Sequence, residues 1–230
     1  MEWLVFLLIA AAIGLIAWFG YRAKQKRREA LFTFANQFRL EYSRVDPFHL
    51  TSYPFHLFTL GDGRGCENIL SGEWEGMPVK EADYWYYTES TDSQGHTSKS
   101  YTHMSVVVAD LALTIPPITI QKESLFTKLA DHLGFHDIEF ESEDFNRGFQ
   151  VKAKDKEFAF KLVDSRMIQW LLATGGTFGF EANGPFLLAY CKRRRPMDLT
   201  PLFGTAKSFR DHIPELVWNE FGTEKERSTS

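Results

Sequence analysis

The stretch WLVFLLIAAAIGLIAWFGY, residues 3–21, contains no charged side chain and decides the architecture of the chain. At a helical rise of 1.5 Å per residue it spans about 28 Å, close to the hydrocarbon thickness of a bilayer. Trp3 at one end and Trp18 and Tyr21 at the other match the aromatic belts of membrane interfaces. The sequence therefore predicts a transmembrane anchor over residues 1–22.

A cleaved signal peptide would need positive charge before the apolar run and small residues after it. Here Glu2 precedes the run, and Ala10, Ala11 and Ala12 lie in its middle, so we expect a retained signal-anchor. The positive-inside rule places the N-terminus outside and the domain in the cytoplasm. The same residues could contact lipid headgroups: Arg22, Lys24, Lys26, Arg27 and Arg28.

Residues 23–46 are predicted to be a basic juxtamembrane helix. Leu31, Phe34, Ala35 and Phe38 fall on one helical face, which predicts helix to about Phe38 and packing against the domain. Residues 47–222 are expected to form a soluble domain, and the polar residues 223–230 a disordered tail.

The first half of the domain reads as strands. Residues 69–74 and 79–87 predict a hairpin that turns at Glu75 and Gly76, followed by a mobile loop at 89–100 and strands at 101–110 and 118–121. The glycine-rich run 61–65 lacks the Gly-Lys-Ser/Thr of a phosphate loop, so we interpret it as a flexible connector.

The second half alternates helices and strands. The pattern predicts helices at 124–133, after Asp155, from Ser165 and at 200–213, and a strand at 149–154. Asn183-Gly184 predicts a second hairpin, between residues 177–182 and 186–192. Strands that come in hairpins, with helices between them, indicate an α+β fold with an antiparallel sheet and packed helices.

Charge limits the function classes. Residues 1–30 contain five of the 26 basic and two of the 30 acidic residues, which leaves 21 basic and 28 acidic residues in 31–230, a net charge of −7. Nucleic-acid binding needs clustered basic residues, so it is not expected. The basic run at 192–195 is interpreted as a solvated loop. Cys66 and Cys191 do not form a disulfide framework or a zinc motif.

The sequence contains no catalytic motif, and we predict no catalytic, cofactor or metal residues. His132 and His136 are four residues apart, but Gly134 should end the helix that a shared metal would need. The acids at 137–144 alternate with Ile138 and Phe140, which favours a solvated face over paired catalytic carboxylates.

Four consecutive aromatic residues, Tyr84, Trp85, Tyr86 and Tyr87, lie on a predicted strand. Side chains alternate across a strand, so half of them should face the core and half the other side. We expect the outward half to be a contact surface for a partner or for the membrane interface.

The sequence DIEFESEDFNRGFQV at 137–151 resembles the corresponding sequence in a group of uncharacterised bacterial membrane-anchored proteins. The stretches at 68–83, 158–159 and 167–172 resemble that group as well. The resemblance implies one or two N-terminal transmembrane segments, a basic juxtamembrane stretch and a soluble domain. It supplies no catalytic residues.

Three hypotheses follow. The leading one is a non-enzymatic, membrane-anchored domain that binds a protein partner or itself. The second is a metal-dependent enzyme without a recognisable motif, which would use the acids at 137–144. The third is a sensor of anionic lipid that would use the basic residues at 22–28 and 192–195.

Overall fold

The computed structural model describes residues 2–122 and 134–222. The first part contains α1 (Glu2–Phe38), β1 (Glu41–Val45), β2 (Gly63–Trp74), β3 (Met77–Thr91) and β4 (Thr97–Gln121). The second part contains β5 (His136–Ile138), α2 (Glu143–Gly148), β6 (Gln150–Ala153), α3 (Lys156–Leu162), α4 (Ser165–Ala173), β7 (Gly179–Lys192), α5 (Thr200–Asp211) and α6 (Glu215–Phe221). The predicted helix at 124–133 and the predicted tail lie outside the described residues.

Helix α1 is continuous, and its two halves have different surroundings. Among the described residues it is the one helix long and apolar enough to cross a membrane, and its apolar N-terminal side chains are exposed. In its C-terminal half Leu31, Phe34 and Ala35 are buried in the domain core. The ring of Phe38 lies 5.0 Å from that of Trp74, between centroids. The anchor and the domain are therefore joined by an unbroken helix.

The expectation of helix over 23–46 holds to Phe38 and is wrong beyond it. Arg39 adopts a left-handed conformation (φ 57°), which ends the helix. The next residues form β1, which pairs antiparallel with β2 through Tyr42 and Leu70. This short edge strand was not predicted from the sequence.

The α+β class is confirmed, and the sheet is antiparallel throughout. Its order is β1-β2-β3-β4-β6-β5, and β7 pairs along the other edge of β4. Strand β4 is 25 residues long, and its ladder shifts register between Asp110 and Ile115, where Ala112 has φ 60°. The strands predicted at 101–110 and 118–121 are therefore two halves of one bulged strand.

The hairpin that turns at Glu75 and Gly76 is confirmed, but three other local predictions are wrong. Asn183-Gly184 does not turn a hairpin: β7 runs through it, and Gly184 (φ 59°) accompanies a register shift against β4. The predicted loop at 89–100 is mostly ladder, because Thr91 pairs with Thr97. The supposed connector at 61–65 contains the start of β2.

The sheet separates two cores. Helices α1 to α6 cover one face, where the larger core extends from Leu31 of α1 to Val217 of α6. The segment 50–60, with two single-turn 3-10 helices, covers part of the other face through Leu50, Phe55 and Phe58. Asp155, which precedes a predicted helix, caps α3, since its side chain accepts a hydrogen bond from the backbone N–H of Phe158.

Candidate functional site: the junction of the anchor helix and the sheet

A buried polar cluster joins α1 to the sheet, and Asp83 of β3 is its centre. The Nε and Nη2 of Arg27 donate to the two carboxylate oxygens of Asp83, the first at 2.7 Å. Asn68 Nδ2 and Arg193 Nη2 donate to Oδ2, at 2.9 and 3.1 Å. The Asp83 side chain is only 4% exposed. Three segments far apart in sequence thus converge on one carboxylate.

The cluster extends to two further segments. Tyr42 of β1 donates its hydroxyl to Asn68 Oδ1 at 2.9 Å. Arg27 Nη1 donates to the carbonyl oxygen of Arg194 at 2.7 Å, and Arg194 N donates to Ser105 Oγ at 3.1 Å. Bonds to charged groups in a buried site are the strong ones. The cluster therefore fixes the end of β7 against the anchor helix.

Glu81 lies two residues before Asp83 on the same face of β3 and is fully buried. Neither of its carboxyl oxygens has a hydrogen-bond partner in the described part of the chain. Burial raises its pKa well above the usual range, and the charge of Asp83 adds to this, whereas Arg27 and Arg193 oppose it. The surroundings of Glu81 therefore favour its neutral form over the carboxylate.

Two contacts set the direction of α1 over the sheet. Phe38 packs on Trp74 beside the start of β3, and Arg27 binds Asp83 further along that strand. The helix rises about 16 Å from Arg27 to Phe38, and β3 rises about 20 Å from Met77 to Asp83. The two contacts are therefore met in opposite order along the two elements, and α1 runs antiparallel to β3. Strands β3 and β4 therefore continue past Asp83 toward the apolar end of α1.

An aromatic strip, defined as Trp85, Tyr87 and Tyr101, continues that face beyond Asp83. The ring centroids of Tyr87 and Tyr101 are 5.3 Å apart, and those of Trp85 and Tyr101 are 6.1 Å apart. Tyr101 is 54% exposed. Gly65 of β2 lies beneath the strip, where an added Cβ would sit 2.9 Å from the Trp85 ring.

The predicted alternation of residues 84–87 is present, and it places two of them, Tyr84 and Tyr86, on the face opposite Trp85 and Tyr87. Tyr84 is buried on the opposite face and donates its hydroxyl to the carbonyl oxygen of Leu57 at 2.7 Å. Tyr86 is half-buried beside it. Tyr101 was not predicted, because its partner on β3 cannot be identified before the register of the hairpin is known.

The basic residues predicted to contact lipid differ in how exposed they are. Arg22, Lys24 and Lys26 are exposed, and Arg28 is half-buried. Arg27 is held by Asp83, so it is not available to headgroups. Burial and the charge of Arg193 lower the pKa of His103, and the charge of Lys24 adds a smaller effect in the same direction. The helix and the end of β7 therefore both lie near this residue.

A cavity of about 300 Å³ lies beside Glu181 of β7, away from the polar cluster, and is lined by Tyr53, His56, Phe135 and Lys154 among others. Glu181 accepts hydrogen bonds from the backbone N–H groups of His56 (2.5 Å) and Leu57 (3.0 Å). Burial raises its pKa to about 7. Both oxygens thus hold the 50–60 segment in place.

The other candidates for chemistry are separated. His136 is in β5, and His132 lies outside the described residues. Glu143 and Asp144 form the first turn of α2, and Asp137 lies 3.8 Å from the ammonium group of Lys152. Within residues 2–122 and 134–222 no three His, Cys, Asp or Glu side chains could hold a metal ion, and the two cysteines are free.

Comparison with known proteins identifies a shared fold. No protein-family profile and no curated protein matches the chain. Among solved structures it is similar to the crystal structure of the mycobacterial trehalose monomycolate transport factor A, TtfA, with a TM-score of 0.61 and 12% sequence identity. The match covers 82% of this chain and 96% of the other. At this identity the likeness shows that the two chains share the α+β fold.

Proposed function

We propose that the chain is a bacterial single-pass membrane protein whose cytoplasmic domain is a non-enzymatic module that binds a protein partner at the membrane surface. The observation that carries the proposal is the polar cluster between Arg27 and Asp83. Arg27 follows Tyr21, at the end of the apolar run, by only six positions. This is about 9 Å of helix, so the domain is docked directly below the membrane.

The aromatic strip is the partner surface in this proposal. Measured along β3, Trp85 lies about 7 Å and Tyr87 about 13 Å beyond Asp83, which is the level at which α1 enters the membrane. Residues 88–100 beyond the strip are polar, so in this proposal the tip of the hairpin lies in water rather than in the bilayer. A partner that packs on the strip is therefore itself an integral membrane protein.

The shared fold supports an accessory role. The protein of similar structure, TtfA, is named as a transport factor. A noncatalytic domain held at a fixed position below the membrane suits a factor that acts on a neighbouring membrane protein. No observation on the described residues favours the alternative of a metal-dependent enzyme, since the acids at 137–144 lie on an exposed turn and strand.

Site-specific photocrosslinking tests the proposal. A photoreactive amino acid is placed at Tyr101 of the full chain in native membranes, and at Phe160 as a control. Phe160 is similarly exposed (52%) but lies on α3, beside β5. A discrete crosslinked membrane protein from position 101, absent from position 160, is the expected result. Identical crosslinks from both positions would overturn the proposed surface.

A further inference from the structure

Two basic runs that are far apart in sequence meet at the membrane end of the domain. The first follows the apolar run at 22–28, and the second leaves β7 at 192–195. Arg27 Nη1 binds the carbonyl oxygen of Arg194, and the 3-10 turn Pro196–Asp198 packs against α1. Arg193 N also donates to the carbonyl oxygen of His103, at 3.3 Å. The run at 192–195 is exposed at Lys192 and Arg195, as expected of a solvated loop, but its backbone is held beside α1.

Asp83 binds both Arg27 and Arg193, and the guanidinium of Arg194 lies over the ring of Phe178, 5.7 Å from its centroid. The remaining cations of the two runs are exposed or, for Arg28, half-buried. These cations form what we term the basic collar: Arg22, Lys24, Lys26, Arg28, Lys192 and Arg195. Arg195 has an exposed ion pair with Asp198, which costs little to break in water. The positive charge of the collar contrasts with the net charge of −7 carried by residues 31–230 as a whole.

The collar lies within electrostatic reach of the membrane. Arg27, which marks its level, is about 9 Å of helix below the end of the apolar run. The headgroup layer extends about 5–7 Å beyond the hydrocarbon, and the Debye length is about 8 Å at physiological ionic strength. Since the helix is unbroken here, the collar cannot move away from the headgroups without breaking the cluster at Asp83.

We propose that the basic collar is a binding site for anionic phospholipid headgroups, and that the run at 192–195 forms half of it. The ligand is the phosphate and net negative charge of lipid in the same bilayer that holds α1. The site orients the domain on the membrane and goes beyond the proposed partner binding, which uses the aromatic strip.

Hydrogen exchange on the full chain in nanodiscs tests this site. The discs contain phosphatidylcholine alone or with about one third phosphatidylglycerol, a fraction that gives a strongly negative surface. In the anionic discs the backbone amides of 192–198 should exchange severalfold more slowly, and 0.5 M NaCl should reverse the effect. Inorganic phosphate added to phosphatidylcholine discs should have no effect, which separates lipid from free phosphate.

A charge-matched pair of variants completes the design. Lys192→Ser/Arg195→Ser should lose the lipid-dependent protection, whereas Lys156→Ser/Arg166→Ser should keep it. The control residues are exposed on α3 and α4, by the end of the sheet that holds β5. Equal exchange at 192–198 in the two kinds of disc, measured on the unaltered chain, would overturn the proposal. So would equal loss of protection in both variants.

Discussion

Arg27 of the anchor helix and Asp83 of β3 are 56 residues apart in sequence and form a two-point ion pair in the interior of the protein. Because this ion pair joins α1 to β3, the C-terminal half of α1 is part of the domain and not a flexible linker to it. The pair also defines which variants should unfold the protein and which should leave it intact.

Asp83→Asn should destabilise the full chain by about 3–5 kcal/mol, because it leaves two guanidinium groups without their buried counter-charge. Urea denaturation in detergent measures this loss. Asp198→Asn provides the control, since Arg195 and Asp198 form an exposed pair and its removal should cost less than about 1 kcal/mol. Similar losses in the two variants would show that the Asp83 cluster is not the stabilising contact.

Glu81→Met should have the opposite effect and increase the free energy of unfolding by about 1–3 kcal/mol at pH 7.5. Glu81 is fully buried and its carboxyl oxygens have no hydrogen-bond partner among the described residues, so an apolar side chain of similar volume removes an uncompensated polar group. The same denaturation assay applies. A loss of stability would reveal that Glu81 neutralises the two arginines near it.

Glu181 should make stability fall as pH rises. Burial raises its pKa from 4.5 to about 7, so between these values the folded protein binds more protons than the unfolded chain. Stability is then greatest below about pH 4.5 for this group and declines by roughly 3 kcal/mol up to pH 7, above which it is constant. Glu181→Gln should remove this decline. Glu81 changes the pH dependence of stability in the same direction. The measurement is therefore the difference in the free energy of unfolding between the unaltered protein and Glu181→Gln, at each pH.

Gly65→Ala should destabilise the protein by about 1–3 kcal/mol, because the new methyl group would press on the Trp85 ring. Gly148→Ala is the matched control: its Cβ would meet nothing within 4 Å, and its φ is not positive. The emission of Trp85 should shift only in the first variant. An unchanged stability would mean that the aromatic strip can move away from β2.

The features that follow from local patterns could be predicted from sequence. The long stretch without charged residues predicts the apolar helix, and the spacing of Leu31, Phe34 and Phe38 predicts the face of that helix that packs on the domain. Asp155 predicts the N-terminal cap of α3. Asn183-Gly184 misled the prediction because a bulge needs the same left-handed backbone as a hairpin turn. Only the pairing of β7 with β4 distinguishes the two, and that pairing is nonlocal.

The polar cluster was missed for a related reason, although one signal was present. In β3 the side chains of Glu81 and Asp83 share a face with Val79, an apolar residue that suits a core face. Two acids on a core face imply buried cations. Their identity depends on the direction of α1 and on where β7 ends, and neither follows from local sequence.

Under the proposed membrane anchoring, the unbroken course of α1 from its apolar half into the core has a mechanical consequence. A transmembrane helix tilts when its apolar length exceeds the local bilayer thickness, and tilts of about 20° are average. With no hinge between Tyr21 and Phe38, the domain must rotate by the same angle as the helix. Bilayer thickness would thereby determine how far the aromatic strip swings toward or away from a neighbouring protein, so that lipid composition acts as an input to recognition.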